Sequence, residues 1–366
     1  MNQKLMKKSL ITLAVMGAFA GATQVQAADG DVVTLYGSFD AGVRDVNNAN
    51  ANGDSRLTMG SNGQYNSNRL GFRGNEELGG GNNAHFDLEI GFNSGTGQLD
   101  TATNRNNLFD RSAYVGMGGK WGSLDLGRQY SVSFKTIGMY DPFNYKYTGI
   151  IPLAGAAAGT SYYNAFAGSN YFGGTRFNND IQYTGTFGPV TARAEYALGE
   201  VTGSTSKGAA QAIGVGYTGG PISIAAAYTE KKPSIAATGA ANYRQNKQLT
   251  VGGAFTAGPM RVAVGYIEEK QASGTSAGEG KVKNIWGGLS YNVSSAVGVT
   301  GAVYQTKGSA TSLDVKKTLY IAGVTYGFSK RTNFYADIDQ NRYAGGLTIN
   351  GKDKQNGVSV GINTTW

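Results

Sequence analysis

The sequence predicts an all-β fold: a 16-stranded antiparallel up-and-down transmembrane β-barrel with an inward-folded third loop. Apolar and polar residues alternate along most of the chain, which is the period of a strand with two different faces. The connections alternate between short turns and longer polar loops, as up-and-down topology requires. The apolar stripe is poor in bulky side chains, in a chain with 57 glycines. Such a stripe suits a closed barrel facing lipid better than a soluble core.

The N-terminus has the composition of a secretory signal peptide. Lys4, Lys7 and Lys8 precede the apolar stretch 10–20, and Val25-Gln26-Ala27 fits a cleavage site with small residues. This stretch is too short to span a bilayer as a helix. We therefore expect residues 1–27 to be removed and residues 28–366 to form the barrel.

The alternation predicts sixteen strands. It is clearest over 83–92, where five apolar residues from Ala84 to Phe92 occupy every second position. The predicted strands cover 31–45, a segment ending in 68–74, 83–92, two strands within 108–130, 176–187, 189–199, 209–218, 221–231, 246–257, 259–270, 282–293, 296–306, 316–328, 332–342 and 354–366.

Residues 131–175 interrupt this alternation and show no pattern of a long amphipathic helix. They contain only three charged residues, Lys135, Asp141 and Lys146, and many aromatic ones. An unstructured connection of this length is usually functional or disordered, and disordered segments have the opposite composition. A barrel of sixteen strands leaves an aqueous lumen. We therefore expect this segment to fold into the lumen and set its aperture.

Composition argues against several other function classes. Without residues 1–27 the formal net charge falls from +8 by three lysines to +5, without a basic stripe for nucleic acid. The single histidine, His85, shares a face with Asp87 and Glu89, but no nucleophile motif accompanies it. One histidine and no cysteine do not favour a transition-metal site. We therefore expect no catalytic residues, no cofactor and no metal, and a lumen role for His85.

Several motifs resemble those of the trimeric general porins of Gram-negative outer membranes, in particular the β-proteobacterial type. These motifs are specific as a set. Together with the regular succession of strands, they extend the resemblance over essentially all of the mature chain. The motifs are NRLGFRGNEELGGG (68–81), LFDRSAYVG (108–116), GSLDLGRQY (122–130), the FSKRT turn (328–332) and the terminal aromatic residue Trp366. The resemblance implies an outer-membrane location, and it makes 131–175 the third external loop, which forms the constriction.

The resemblance also implies a basic cluster on the barrel wall opposite this loop. By motif, its members are Arg69, Arg111 and Arg176. Alternation independently places Arg69 on the polar face, opposite Leu70 and Phe72. The alternative is that these three arginines are ordinary solvated residues of the lumen.

Further charged residues are expected near the same section. Arg44 and Arg73 lie on polar faces nearby, and the loop contributes Asp141 against Lys135 and Lys146. This positive balance predicts a preference for anions, because selectivity follows the charge at the narrowest section of a pore. Lumen acids would oppose it, and the sequence offers three candidates: Asp40, Asp87 and Glu89.

The sequence departs from the family pattern at two places. The constriction loop of enteric members carries an acidic pair, whereas YDPF (140–143) offers only Asp141. The usual terminal phenylalanine is replaced by Trp366, which keeps an aromatic end on the outward stripe. The resemblance further implies that the last strand closes the barrel against the first and that Trp366 carries the assembly signal.

The resemblance also implies a homotrimer embedded in outer-membrane lipid. Arg128 matches the family arginine that receives the second loop of a neighbouring subunit, here 93–107, and its alternative is an ion pair within the subunit. The expected function is passive diffusion of small hydrophilic solutes and ions. A substrate-specific channel for small anionic solutes remains the alternative, since it would differ only in the detail of the lumen.

Overall fold

Strands make up nearly all the regular structure of this computed structural model, which describes residues 32–59, 64–99, 108–147, 175–232, 246–272, 279–310 and 313–366. The predicted signal peptide (1–27) and most of the predicted loop (148–174) lie outside the described residues. The strands are β1 (Val32–Val46), β2 (Arg56–Met59), β3 (Arg69–Gly79), β4 (Asn82–Gly91), β5 (Ser112–Gly119), β6 (Gly122–Tyr130), β7 (Arg176–Phe187), β8 (Val190–Ala197), β9 (Ala210–Gly219), β10 (Ile222–Lys231), β11 (Asn246–Ala257), β12 (Met260–Ala272), β13 (Glu279–Asn292), β14 (Val297–Ala310), β15 (Leu313–Gly327), β16 (Thr332–Ala344) and β17 (Lys354–Thr365).

The strands form one closed antiparallel barrel, as predicted. From β3 onwards each strand pairs with the next along the chain, and β17 pairs with β1 from Ser38↔Thr365 to Val46↔Gly357. Closure leaves no long unpaired edge, which would be costly in a lipid environment.

One position of the ring is shared by two strands. The first half of β1 pairs with β3, from Val32↔Asn75 to Ser38↔Arg69, and its end pairs with β2. The seventeen strands of the sheet therefore occupy sixteen positions, in agreement with the predicted number. The sequence pattern did not predict this break in the second barrel strand.

The two faces of the wall differ as the alternation predicts. In β11, Leu249 and Val251 are exposed, whereas Gln248 and Thr250 are buried. The same arrangement recurs in β9, where Ile213 and Val215 are exposed. The exposed apolar stripe is the outer face of the barrel, and the polar stripe is the inner face.

A short helix follows β6 directly. This helix, α1 (Val132–Ile137), begins at the N-cap residue Ser131, whose Oγ accepts a hydrogen bond from the Phe134 backbone N–H at 3.2 Å. Among the described residues, no helix is long and apolar enough to cross a membrane.

Candidate pore constriction

Residues 131–147, here called the docked segment, lie across the polar face of the wall. The Val132 backbone N–H donates to Glu195 of β8 at 2.9 Å. The Ser133 hydroxyl lies 2.6 Å from the hydroxyl of Thr229 in β10. The packing therefore begins beside β6 and crosses to the neighbouring strands.

The second half of the docked segment continues in the same direction. Arg261 of β12 donates to the backbone carbonyl oxygens of Met139 and Asp141, each at 3.0 Å. Trp286 of β13 donates its indole N–H to the Tyr140 carbonyl at 3.2 Å, and Ser290 donates to the Pro142 carbonyl at 3.1 Å. These bonds satisfy backbone carbonyls that the irregular segment cannot satisfy itself.

Glycines in the wall make room for this packing. A Cβ added to any of several inner-face glycines would collide with the docked segment, which explains part of the high glycine content. The distance from such a Cβ would be 2.6 Å at Gly214 to Val132, at Gly288 to Pro142 and at Gly323 to Tyr147, and at Gly252 the Cβ would overlap the Tyr140 ring.

Asp141, which belongs to the docked segment, is fully buried. Its carboxylate accepts hydrogen bonds from the Tyr304 hydroxyl at 2.7 Å and the Tyr145 backbone N–H at 2.6 Å. Burial raises the pKa of Asp141 to about 6, although these hydrogen bonds and nearby Arg261 oppose the rise. The acid that the sequence placed in the loop therefore stabilises the turn and is shielded from solvent.

Two of the predicted arginines converge on Glu89, on the inner face of β4. Arg111 Nε lies 2.5 Å from one carboxylate oxygen, and Arg69 Nη1 lies 3.8 Å from the other. Arg111 is buried, whereas the Arg69 side chain remains 30% exposed. Arg69 therefore presents charge to solvent, while Arg111 is held inside the wall.

Tyr130, the last residue of β6, joins the third predicted arginine to this cluster. Its hydroxyl accepts from Arg111 Nη2 at 2.7 Å and from Arg176 Nη2 at 2.6 Å. The Arg176 guanidinium lies 4.1 Å from the Tyr130 ring centroid, a cation–π contact. On the sequence alone, only the position of Tyr130 at the junction of strand and loop could have indicated this role.

The Tyr130 ring begins an aromatic stack that reaches the docked segment. Tyr130 stacks on Phe134 with centroids 4.6 Å apart, and Phe134 stacks on Tyr145 at 4.1 Å. The arginine cluster and the docked segment are therefore one packed unit.

The remaining predicted site residues lie apart from this cluster. Arg44 pairs with Asp339 at 2.7 Å and with Asp337 at 3.7 Å, across β1, β17 and β16. Arg73 lies 5.1 Å from the ring centroid of Tyr36.

Lys135 is bonded to amide side chains of the wall. Its ammonium donates to Gln182 and, at 3.4 Å, to Gln129. Burial lowers the pKa of Lys135 below its ordinary value. Lys146, at the other end of the docked segment, donates to the Tyr65 hydroxyl at 3.0 Å.

The residues expected at the subunit interface and at the closure are bonded within the chain. Arg128 donates to the Asp110 carbonyl at 2.6 Å and to Asn178 at 2.5 Å. The Trp366 backbone N–H donates to the Gly37 carbonyl at 3.3 Å, where β17 meets β1. The roles expected for both in assembly remain predictions.

The partners of His85 are Asp125 and Asn83, and not Asp87 and Glu89, the two acids on its own strand face. Its Nε2 lies 2.8 Å from Asp125 of β6, and its Nδ1 lies 3.1 Å from the side-chain oxygen of Asn83. In the described part of the chain, no three metal-binding side chains are grouped together.

A second inward element, not predicted from the sequence, lies between β2 and β3. Residues 64–68, here called the inner turn, are anchored on Asp40, whose carboxylate accepts the backbone N–H groups of Tyr65 at 3.0 Å and Asn66 at 2.9 Å. The Tyr65 ring stacks on Tyr335 at 4.8 Å and meets Tyr147 edge-on at 5.0 Å. The inner turn therefore packs directly against the end of the docked segment.

Comparison with known proteins agrees with this architecture. The family model described as "Gram-negative porin" matches residues 12–346. The chain is 30% identical to an outer membrane porin of Bordetella pertussis, over 98% of this chain and 99% of that protein. It is 32% identical to outer membrane porin protein 32 of Delftia acidovorans, with the same coverage of both chains. The structure of the anion-selective porin from Comamonas acidovorans superposes with a TM-score of 0.76 at 26% identity, covering 92% of this chain and all of the other. The chain therefore belongs to the Gram-negative porins.

Proposed function

We propose that this outer-membrane diffusion porin prefers anions, and that the docked segment narrows its lumen beside the arginine cluster. Small hydrophilic solutes would pass through the remaining opening without being transformed. In this proposal the full segment 131–175 is the constriction loop.

The charge balance of the cluster is the observation that carries the proposal. Arg69, Arg111 and Arg176 surround the carboxylate of Glu89, with Tyr130 between them. The Tyr36 hydroxyl donates to both Glu89 and Asp87, and Arg73 lies directly across from Asp87 on the neighbouring strand. Four positive groups against these two carboxylates leave a net charge of +2. Asp141 does not compensate for this charge, because Arg261, which donates to the Asp141 backbone carbonyl at 3.0 Å, offsets it locally.

This charge is large enough to bias permeation without blocking it. Two unit charges in water interact by about 1 kcal/mol at 4 Å, and physiological salt screens them over about 8 Å. A preference of this size gives selectivity that weakens as salt is raised. The anion-selective character stated for the Comamonas porin supports the same assignment.

We further propose a homotrimer of the mature chain, 28–366, exported by means of the signal peptide 1–27. Arg128 would then meet the second loop, 93–107, of a neighbouring subunit in addition to its own bonds. Mobility on an unheated gel and chemical cross-linking test the assembly, and a monomer under mild detergent would contradict it.

The reversal potential in a KCl gradient tests the ion preference. Wild-type channels in a planar bilayer should show an anion-selective sign, more strongly at low salt. The R69S/R176S double variant should lose much of this preference, since both substitutions remove charge but leave the Arg111–Glu89 pair intact. The matched control, K330S/R331S, removes the same charge from an exposed short turn and should behave as wild type. A cation-selective wild type would overturn the proposal.

A substrate-specific channel for small anionic solutes is the second candidate. The observation that favours it is the hydrogen bond and the cation–π contact that hold the half-buried Arg176 on Tyr130 and so keep its guanidinium fork at a fixed position. Saturable block of the chloride current by a dicarboxylate would support specific binding, whereas linear mixing of the two conductances would support general diffusion.

A further inference from the structure

A polar cavity opens in the inner wall, between the arginine cluster and the end of the barrel that carries the short turns. Its volume is about 340 Å³, which is near the lower limit for small-molecule sites. Its polar side chains come from four strands, β1, β3, β4 and β5. They are Thr34, Arg73, Asn75, His85, Asp87 and Tyr114.

The register of the strands arranges these side chains in two rows on the inner face. Thr34, Arg73, Asp87 and Tyr114 lie opposite one another on successive strands of the sheet. Asn75 and His85 face each other in the next row towards the short turns. Asp87 is two residues from Glu89 along β4, which corresponds to about 7 Å. The cavity therefore lies beside the permeation path, next to the arginine cluster.

Arg73 and Asp87 carry opposite charges but do not form an ion pair with each other. They are directly opposite across the β3–β4 pair, yet among the described residues no carboxylate lies within ion-pair distance of Arg73. Tyr36 accounts for this separation. The Arg73 guanidinium lies 5.1 Å from the Tyr36 ring centroid, and Asp87 accepts a hydrogen bond from the Tyr36 hydroxyl at 2.9 Å. Both charges therefore remain available on the same cavity.

His85 does not add a further unpaired charge to the lining. Its Nε2 lies 2.8 Å from Asp125, and its Nδ1 lies 3.1 Å from the side-chain oxygen of Asn83. The contact with Asp125 passes over Gly116, where an added Cβ would overlap the Asp125 carboxylate and lie 2.6 Å from His85 Nε2. The charges left to a ligand are one cation and one anion, and they sum to zero.

This arrangement distinguishes solutes by the charges that they carry. A simple anion attracted by Arg73 is repelled by Asp87, and a simple cation meets the reverse, so the two effects largely cancel. A solute that carries both charges gains both attractions, each as a charge-assisted hydrogen bond. An α-amino acid is a small solute of this kind, because its ammonium and carboxylate groups are attached to one carbon.

We propose that this cavity binds free α-amino acids as zwitterions, with the carboxylate on Arg73 and the ammonium on Asp87. The hydroxyl of Thr34 and the amide of Asn75 then face the remaining polar atoms of the ligand. The proposal does not rest on the ion preference of the pore, because the ligand carries no net charge.

The single-channel conductance of the full-length protein in a planar bilayer tests the proposal, with L-glutamine added at constant KCl. L-Glutamine carries no net charge, so its binding in the lumen lowers the conductance without adding current. Two smaller analogues serve as controls: glutaramate lacks the ammonium group, and 4-aminobutanamide lacks the carboxylate. L-Glutamine should lower the conductance saturably, with a half-saturating concentration at least about tenfold below that of either analogue. High salt should weaken the effect.

Two single variants test the residues. R73Q and D87N each remove one charge, and D87N keeps an acceptor for the Tyr36 hydroxyl. Each should raise the half-saturating concentration of L-glutamine at least about fivefold. The matched control E76Q/K120Q removes one charge of each sign at the same end of the barrel, from exposed residues outside the cavity. It should respond to L-glutamine as wild type does.

Three results would overturn the proposal. Glutaramate may not act at as low a concentration as L-glutamine, because the cavity would then be a site for simple anions. The same holds for 4-aminobutanamide and simple cations. Equal responses of wild type and D87N to L-glutamine would also contradict it. The analogue series on wild type decides the question even if a variant does not fold, and the sign of the reversal potential tests the ion preference separately.

Discussion

At the scale of single residues, the acids of the inner face decide how much arginine charge reaches the lumen. The carboxylate of Glu89 offsets part of the positive charge of Arg69 and Arg111. Asp337 and Asp339 form ion pairs with Arg44. Asp40, which the sequence offered as another opposing acid, accepts backbone N–H groups of the inner turn. These partners are distant in sequence, so alternation could place each side chain on a face without predicting its partner.

The buried carboxyl group of Asp141 makes the stability of the folded protein depend on pH. Its pKa is raised to about 6 by burial, so the folded state binds this proton more tightly than the unfolded chain does. The stabilisation is complete below the unfolded pKa and is lost as pH rises from there to the folded pKa of about 6, which amounts to about 3 kcal/mol.

The D141N variant isolates this contribution, since asparagine keeps an acceptor for the Tyr304 hydroxyl without ionising. The thermal unfolding temperature of wild type, compared with that of D141N, should fall between about pH 4 and pH 6 and should level off at higher pH. A constant difference between the two proteins over this range would show that Asp141 does not titrate there.

At the scale of elements, the strands followed from the sequence, whereas the helix α1 and the inner turn did not. Strand alternation is a repeated signal with a clear period, and the predicted boundaries differ from the observed ones mostly by a few residues. The helix α1 is too short to show a periodic pattern, and its position depends on contacts with β8–β11. The inner turn interrupts one barrel strand, and its packing on Tyr335 joins residues 270 positions apart.

The packing of the docked segment predicts that alanine substitution is costly at one glycine of the wall and harmless at another. The G252A variant places a methyl group against the Tyr140 ring, and such overpacking costs about 1–3 kcal/mol. The control G287A adds the same group where the nearest atom outside its own neighbours, on Val264, is 3.7 Å away. Trypsin should cleave G252A after Lys135 or Lys146 at least about fivefold faster than wild type, because cleavage follows the open population. Equal rates for both variants would contradict the packing described for this segment.

At the scale of the whole molecule, closure joins the two ends of the described chain. The backbone of Trp366 and that of Gly37 exchange hydrogen bonds at 3.3 and 3.4 Å, and the indole ring covers Gly37. The resemblance to the porin family predicted this closure. The pairing of β1 with β17 confirms it.

Deletion of Trp366 should reduce the amount of barrel in the outer membrane. The deletion exposes the backbone of Gly37 at the seam and removes an aromatic residue from the girdle. The W366F variant keeps an aromatic ring and is the matched control. Quantification of heat-modifiable protein in outer-membrane fractions measures the effect, and a normal amount of the truncated chain would argue against a role in assembly.

We expect the charge at Arg69 to act on the ions that pass the constriction. The chain has no cysteine, so R69C offers a single thiol to charged methanethiosulfonate reagents in a planar bilayer. We expect the positive reagent to restore the anion preference of R69C towards that of wild type, and the negative reagent to reduce it further. A cysteine at the outer-face residue Ile285 should leave the reversal potential unchanged with either reagent. A reversal potential of R69C that responds to neither reagent would contradict the account.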